Sequence, residues 1–383
     1  MNNIDKAYPP KLKDTSGDTH TEDGSTLFKY SLEPEFDYDD KYESSALGGV
    51  SVLAIGDPHF KINTLSEMKV YVQRIIGVIR QTKPSFVVVL GDLLHDHEKI
   101  HTKVLNLVYD FIHKIRCIVP VYVIVGNHDY INNQQFLTSN HWMNAMKEWD
   151  DVTIVDSGHI MTTPYGKFLF CPYVYPGRFK EALNLIDPDW KSARLIFCHQ
   201  EIYGCKMGSI ISEEGDKWQL DCPFLISGHI HDKQRIQDNV FYPGSSIQHA
   251  FGESPNKTIS YCSIQKTICL EKINLGLSSK SIVYASVSEM EDYTNTMDKY
   301  STDQVRITLS GSVDEYKCFR KTKKYKELVK DGRIKIVYKE KRTDTSVPDE
   351  YVNKPFHSIL HDIIETSNCP LMDSLYKELV RET

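Results

Sequence analysis

The chain has 383 residues, 40% hydrophobic and 25% charged, with a formal net charge of −7. That balance suits one large domain with a smaller one, or two of middle size, and no apolar run is long enough to cross a bilayer. Nine scattered cysteines without a CxxC pair, and a first segment (MNNIDKAYPPKLKDTSGDTHTEDG) without an apolar h-region, argue against a disulfide framework, a thiolate zinc site or a secretory leader and for a soluble intracellular protein.

Residues 1–49 hold 5 Lys against 11 Asp or Glu. Residues 1–48 are too poor in aliphatics to build a core and read as a disordered acidic extension. The remainder is close to neutral, which leaves room for a local basic face. From Val50 the texture changes. VSVLAIGD is a strand-like run, TLSEMKVYVQRIIGVIRQTKPS has apolar residues at helical spacing up to Pro84, FVVVLGD is a second strand, TKVLNLVYDFIHKI a second helix and PVYVIVGNHD a third strand. Alternation of this kind predicts an α/β chain with a mostly parallel, two-sided sheet whose reactive loops follow the carboxyl ends of the strands. KFLFCPYV, ARLIFCHQ, PFLISGHIH and NVFYPGSS are further strands.

Every polar cluster falls at one of these strand ends. In order they are Asp57 and His59, Asp92 and His95, Asn127 with His128 and Asp129, His199, and His229 with His231. One Asp-x-His alone is weak, and a polar loop after a strand is usually solvated surface. Five such ends in succession, delivering carboxylate, amide and imidazole but no thiolate, describe a site for hard or borderline cations such as Mn²⁺, Fe or Zn²⁺. Two such ions can clamp the attacking and leaving oxygens of a phosphoryl group.

The ordered set D-x-H, G-D, G-N-H-D, H, G-H-x-H, over residues 50 to about 232, resembles the calcineurin-like metallophosphoesterases. The resemblance implies a β-sandwich flanked by helices and a two-metal site, usually Mn²⁺ in its nuclease branch, with Mg²⁺, Fe or Zn²⁺ as other ions. It implies Asp57, His59 and His231 on one metal, Asn127, His199 and His229 on the other, and Asp92 bridging. His128 would act at the scissile phosphate, with Asp129 holding its ring. GDLLH is similar to the GDLFH of SbcD-type DNA double-strand-break repair nucleases, where the His, here His95, helps position the phosphate; Asp96 and His97 read as plain loop residues. YPGSSIQHAFGE, residues 242–253, resembles the Gly-Ser…Phe-Gly-Glu segment of the same branch.

Beyond residue 258, TISYCSIQKTICLEKINLG and DQVRITLSG look like antiparallel strands, with one charged helix between Asp314 and Lys330. Residues 314–342 carry 12 bases and 5 acids, either a solvated face or a phosphate-binding one, with Lys317, Arg320, Lys321, Lys323 and Lys324 as candidate DNA contacts. The resemblance divides the chain into the extension (1–48), a nuclease domain (49–257), a smaller α+β DNA-capping domain (258–342), and a linker with C-terminal helices (343–383) that bind an SMC-like ATPase. It also implies a homodimer built on the helices near 64–82 and 101–115. The function implied is a Mn²⁺-dependent 3′–5′ exonuclease and single-strand or hairpin endonuclease in double-strand-break repair. The rivals are a metal-dependent phosphodiesterase or phosphatase on small molecules and a non-catalytic DNA-end tether.

Overall fold

In the computed structural model, which describes residues 49–97, 99–291, 293, 302–340, 356–366, 372 and 376, two six-stranded sheets lie face to face. The first is built from β1 (Val50–Ile55), β2 (Phe86–Val89), β3 (Val121–Ile124) and β4 (Val152–Val155), all parallel. The second contains β5 (His159–Thr163), β6 (Gly166–Cys171), β7 (Leu195–Cys198), the hairpin-separated β10 (Phe224–Ser227), β11 (Gln234–Gln237) and β12 (Val240–Tyr242); the hairpin itself is β8 (Lys206–Met207) with β9 (Ile210–Ile211). The antiparallel pair β13 (Thr258–Ile264) and β14 (Ile268–Asn274) joins the first sheet through β1, with Val50 opposite Ile264. The architecture is thus a mixed α/β sandwich, and the first sheet runs past residue 257, where sequence texture had put a boundary.

The strands are β-branched and apolar on both faces because both faces are covered. Val52, Ala54, Val88 and Ile124 from one sheet meet Phe168, Phe170, Phe197 and Ile226 from the other, and the Phe170 and Phe197 rings stack at 5.2 Å. The alternate residues Leu53, Ile55, Val87 and Val89 are equally buried, on the side covered by α1 (Leu65–Thr82) and α2 (Thr102–Arg116). Met68, Tyr71, Val72, Ile75 and Ile79 form the buried stripe of α1 at helical spacing. The helix stops at Lys83, left-handed at φ 44°, whose N–H caps Ile79 O before Pro84. On the outer face of the second sheet, α3 (Phe179–Ile186) packs with Trp190 and Trp218.

A third sheet, β15 (Lys280–Ser286), β16 (Gln304–Gly311) and β17 (Ile334–Glu340), is parallel throughout, not antiparallel. The expected single charged helix is two, α4 (Val313–Lys321) and α5 (Lys323–Lys330). Thr322, in extended conformation, ends the first and caps the second through Tyr325 N. The break lets both helices press one large residue, Phe319 and Leu328, into the sheet. Lys280 fastens this sheet to the sandwich. Its ammonium donates to Glu67 on α1 at 2.9 Å and to Gln248 O at 2.6 Å, while the Gln248 amide bonds both backbone groups of Lys280. α6 (Phe356–Thr366) follows. The acidic extension, most of the linker and most of the last segment lie outside the described residues. No helix among the described residues is long and apolar enough to cross a membrane.

Away from the strand-end loops, Asp156 joins His141 (3.0 Å) and Lys147 (2.5 Å). Burial pushes its carboxyl up, but hydrogen bonds from His141 and Lys147 outweigh it and hold the pKa at about 2. A depressed acid stabilises the fold above its unfolded value and loses that contribution as pH falls through the folded one. Asp156→Asn should therefore lower unfolding free energy by about 2 kcal/mol at pH 7. In urea titrations across pH, the gap from wild type should close between about pH 4 and pH 2.

Candidate metal centre

Five parallel strands of the two sheets deliver their following loops to one end of the sandwich. β1 leads to Asp57 and His59, β2 to Asp92, β3 to Asn127 and His128, β7 to His199, and β10 to His229 and His231. Asp57, His59, Asp92 and His229 all have positive φ, at 39°, 41°, 53° and 80°. Backbone strain at four such positions marks a place where the surroundings over-determine the conformation. The glycines of the motifs give the required closeness. A Cβ on Gly91 would stand 2.3 Å from His199 Nδ1, and one on Gly126 would stand 2.2 Å from Asp92 Oδ1.

All seven candidate ligands are brought together, in two groups that share Asp92. On one side His59 Nε2 lies 3.4 Å from Asp92 Oδ2 and 3.1 Å from His231 Nε2, and the Asp57 carboxylate is within 4.8 Å of both His59 and Asp92. On the other, His199 Nε2 lies 3.4 Å from Asp92 Oδ1 and 3.0 Å from Asn127 Oδ1, which is 2.9 Å from His229 Nδ1. Imidazole nitrogens aimed at each other across 3.1 Å, and a fully buried Asp57 Oδ2 without a partner, are donor atoms converging on a common point. This donor set fits two divalent cations, with the two Asp92 oxygens one to each side.

Electrostatics point the same way. Burial, and after it the neighbouring Asp92 charge, push the Asp57 carboxyl up, although His199 pulls against them. Burial works on Asp92 in the same sense, yet His199 and His59 hold it well below the usual range. His199 is pushed up to about 9, because Asp92 outweighs its own burial, while burial and the His199 charge push His229 down to about 3. The buried pair of carboxylates thus requires a positive charge beside it. The surrounding imidazoles favour that charge, and a divalent cation bound among them would supply it.

His128 donates from Nδ1 to the carbonyl oxygen of His95 at 2.7 Å, and its backbone N–H reaches Asp92 Oδ1 at 2.9 Å. Its ring stands 4.8 Å from His59 and is stacked with His95 at 5.8 Å. Asp129 does not hold that ring. Its carboxylate accepts the backbone N–H groups of Leu93, Leu94 and Gly126 and the Trp142 indole, at 3.1 to 3.2 Å, so it ties the Gly-Asp loop to the Gly-Asn-His-Asp loop. As the third residue of the 3₁₀ turn Asn127–Asp129 it reaches back to cap Gly126 N, so it faces backbone, not imidazole. His97, read as plain loop, also stacks with His128, at 4.7 Å.

Three further groups were not singled out from sequence. His249 donates from Nε2 to Asp57 O at 2.8 Å and stands in ring contact with His59 and His231. Glu253 accepts from His231 Nδ1 at 3.2 Å and from His249 N at 2.9 Å. Glu201 brings its carboxylate 4.0 Å from His229 Nε2. The only signal for the first two was their place in QHAFGE. The candidate DNA contacts Lys317, Arg320, Lys321, Lys323 and Lys324 lie on α4 and α5; Lys317 pairs with Asp314 at 3.4 Å and Lys323 with Glu327 at 3.6 Å, within their own helices. Burial raises the Glu253 carboxyl, but the His231 hydrogen bond and the His249 N–H outweigh it and keep it charged. Carboxylates behind metal-binding imidazoles fix ring orientation. Glu253→Gln should weaken Mn²⁺ binding about 10- to 100-fold in isothermal titration, and should also lower the thermal midpoint at neutral pH, because the charged carboxylate is held by its partners in the fold.

The profile of the calcineurin-like phosphoesterases matches residues 50–233. A protein of Invertebrate iridescent virus 3, provisionally named phosphoesterase 078R, is 43% identical over 340 residues, 87% of this chain and 97% of its own. The similarly named 244L of Invertebrate iridescent virus 6 is 43% identical over 279 residues, 71% of this chain and 98% of its own. Among solved structures, a dimetal phosphatase from Danio rerio aligns at 14% identity with a TM-score of 0.41, over 59% of this chain and 96% of that one. Yfce, a phosphoesterase from E. coli, aligns at 14% identity with a TM-score of 0.31, over 59% of this chain and 100% of that one. With its ordered motifs, its sandwich and its near full-length relatives, the chain belongs to the calcineurin-like phosphoesterase family.

Proposed function

We propose that this phosphoesterase is a Mn²⁺-dependent DNA nuclease of the SbcD type, a 3′–5′ exonuclease and an endonuclease on single strands and hairpins. The observation that carries the reading is His95. Its ring lies 5.3 Å from His59 and parallel to His128, so a third imidazole stands beside the centre at the position by which this loop resembles that branch. Asp57, His59 and His231 hold one cation, Asn127, His199 and His229 the other, and Asp92 both. The two bound cations supply charge neutralisation at the phosphodiester and an activated water at neutral pH.

The chain's own residues do the rest. The His95 carbonyl fixes the Nδ1 proton of His128, which leaves Nε2 as the nitrogen facing substrate. As an imidazolium, His128 passes the Nε2 proton to the leaving alkoxide while the P–O bond breaks. His95 and His97 stack with that ring and keep it in place, and Asp129 keeps the two loops in register. The sheet of residues 280–340 serves as a cap over DNA, with Lys317, Arg320, Lys321, Lys323 and Lys324 as phosphate contacts. A homodimer through α1 and α2, where Val70 is 45% exposed, and an SMC-like ATPase docking on α6, where Ile363 is 55% exposed, complete the reading.

Digestion of end-labelled linear duplex DNA with Mn²⁺, Mg²⁺ or EDTA, beside Asp92→Asn, is the direct test. Shortening should require Mn²⁺ and vanish in the variant, which should keep the wild-type melting curve. Hydrolysis of bis-p-nitrophenyl phosphate without any attack on DNA would replace the nuclease by a phosphodiesterase acting on small molecules. His128→Ala should lower kcat by about 10²- to 10⁴-fold with metal content unchanged by elemental analysis.

A further inference from the structure

A cavity of about 690 Å³ opens beside His231, outside the metal centre. Its walls come from the loop after β10, the turn before β13 and the strand β14. Three lysines line it, Lys233, Lys257 and Lys272, against one carboxylate, Asp232. Lys257 is already engaged, donating to His231 O at 2.9 Å and lying 3.3 Å from Glu253. Lys233 and Lys272 are not: among the described residues neither forms an ion pair, and Lys233 has only the Phe241 ring near its ammonium, at 5.8 Å. Both line the same cavity.

Two ammonium groups without ion-pair partners in one cavity lining repel each other, and a concave wall concentrates their field. An anion placed between them relieves that repulsion. Asn256 and Asn274 in the same lining offer amide donors, the chemistry that accompanies lysine at phosphate oxygens. The cavity is also continuous with the centre through one residue. His231 turns Nε2 toward His59 while its backbone carbonyl holds Lys257 and Ser245 N in the cavity wall. Gly244, at φ +80°, lets this wall close: a Cβ there would come within 2.9 Å of His231 O.

We propose that the groove between Lys233 and Lys272 is a subsite for a second phosphate of the substrate, the backbone phosphate flanking the scissile one in a single DNA strand. Only the source of the phosphate rests on the nuclease reading. The subsite explains how a long polyanion is held in register at the centre while a small diester is not.

The test uses the full chain and a fluorescent twelve-nucleotide oligothymidylate. Binding is read by anisotropy in EDTA across a salt series, cleavage in Mn²⁺, and bis-p-nitrophenyl phosphate turnover in parallel. In the double variant Lys233→Glu/Lys272→Glu, oligonucleotide affinity should fall roughly tenfold or more and the slope of log K against log salt should shrink by roughly 1 to 2. Turnover of the small diester should not change. The milder Lys233→Gln/Lys272→Gln pair should move affinity in the same direction, and keeps the test open should charge reversal unfold the chain. Unchanged affinity and salt slope in both variants overturns the subsite, as does a wild-type chain that does not bind the oligonucleotide. Binding that is lost in the variants, from a wild-type chain that does not cut the strand, keeps the subsite and removes the nuclease. Cutting with variant-independent binding does the reverse.

Discussion

Two carboxylates, Asp57 and Asp92, are fully buried beside each other at the end of the sandwich, and the local structure answers to that fact. Left alone, burial and mutual repulsion would neutralise one of them. The chain surrounds them with imidazoles instead, and the Asp92 carboxylate pushes the His199 imidazole up despite its burial. Donor atoms that converge this closely without partners are arranged for cations. Binding such cations requires the ligating imidazoles to be neutral, so occupancy of the centre depends on pH.

The sheets make this affordable in geometric terms. Parallel strands that end at one level deliver loops from different parts of the chain to a single point, and their rigid, doubly covered cores hold left-handed backbone at Asp57, His59, Asp92 and His229. Asp129 shows how the loops are kept in step, since one carboxylate gathers N–H groups from both Leu93–Leu94 and Gly126. The His128 imidazole is set by backbone too, through the carbonyl of His95. Side-chain chemistry here is largely oriented by main chain.

Much of this was legible in the residues. Strand ends carrying Asp, Asn and His name themselves, because the pattern of apolar run, glycine and ligand is local. Features that depend on distant partners were not. β13 and β14 look like the start of a new domain until Val50 is found opposite Ile264. Thr322 splits a charged helix because two large side chains must reach the same core. His97, His249 and Glu253 join the centre by ring contacts and hydrogen bonds across loops, and Asp129 was given to the wrong partner for the same reason. Lys233, in the loop before β11, and Lys272, on β14, come to line one cavity only after folding, whereas the crowded lysines of α4 and α5 draw the eye because they are nearly consecutive.

The pairing of Val50 with Ile264 also bears on how the molecule comes into being. β1 is made early and its neighbour late, so the first sheet closes only after the second has been laid down, a strongly non-local step of the sort that slows folding. Until then one flank of β1 is an unpaired edge, apolar on both faces, a template for joining to other chains. The first ligands, Asp57 and His59, hang from that same strand. A nascent chain therefore carries its first ligands on a strand whose outer edge stays open to other chains until residues 258–264 arrive.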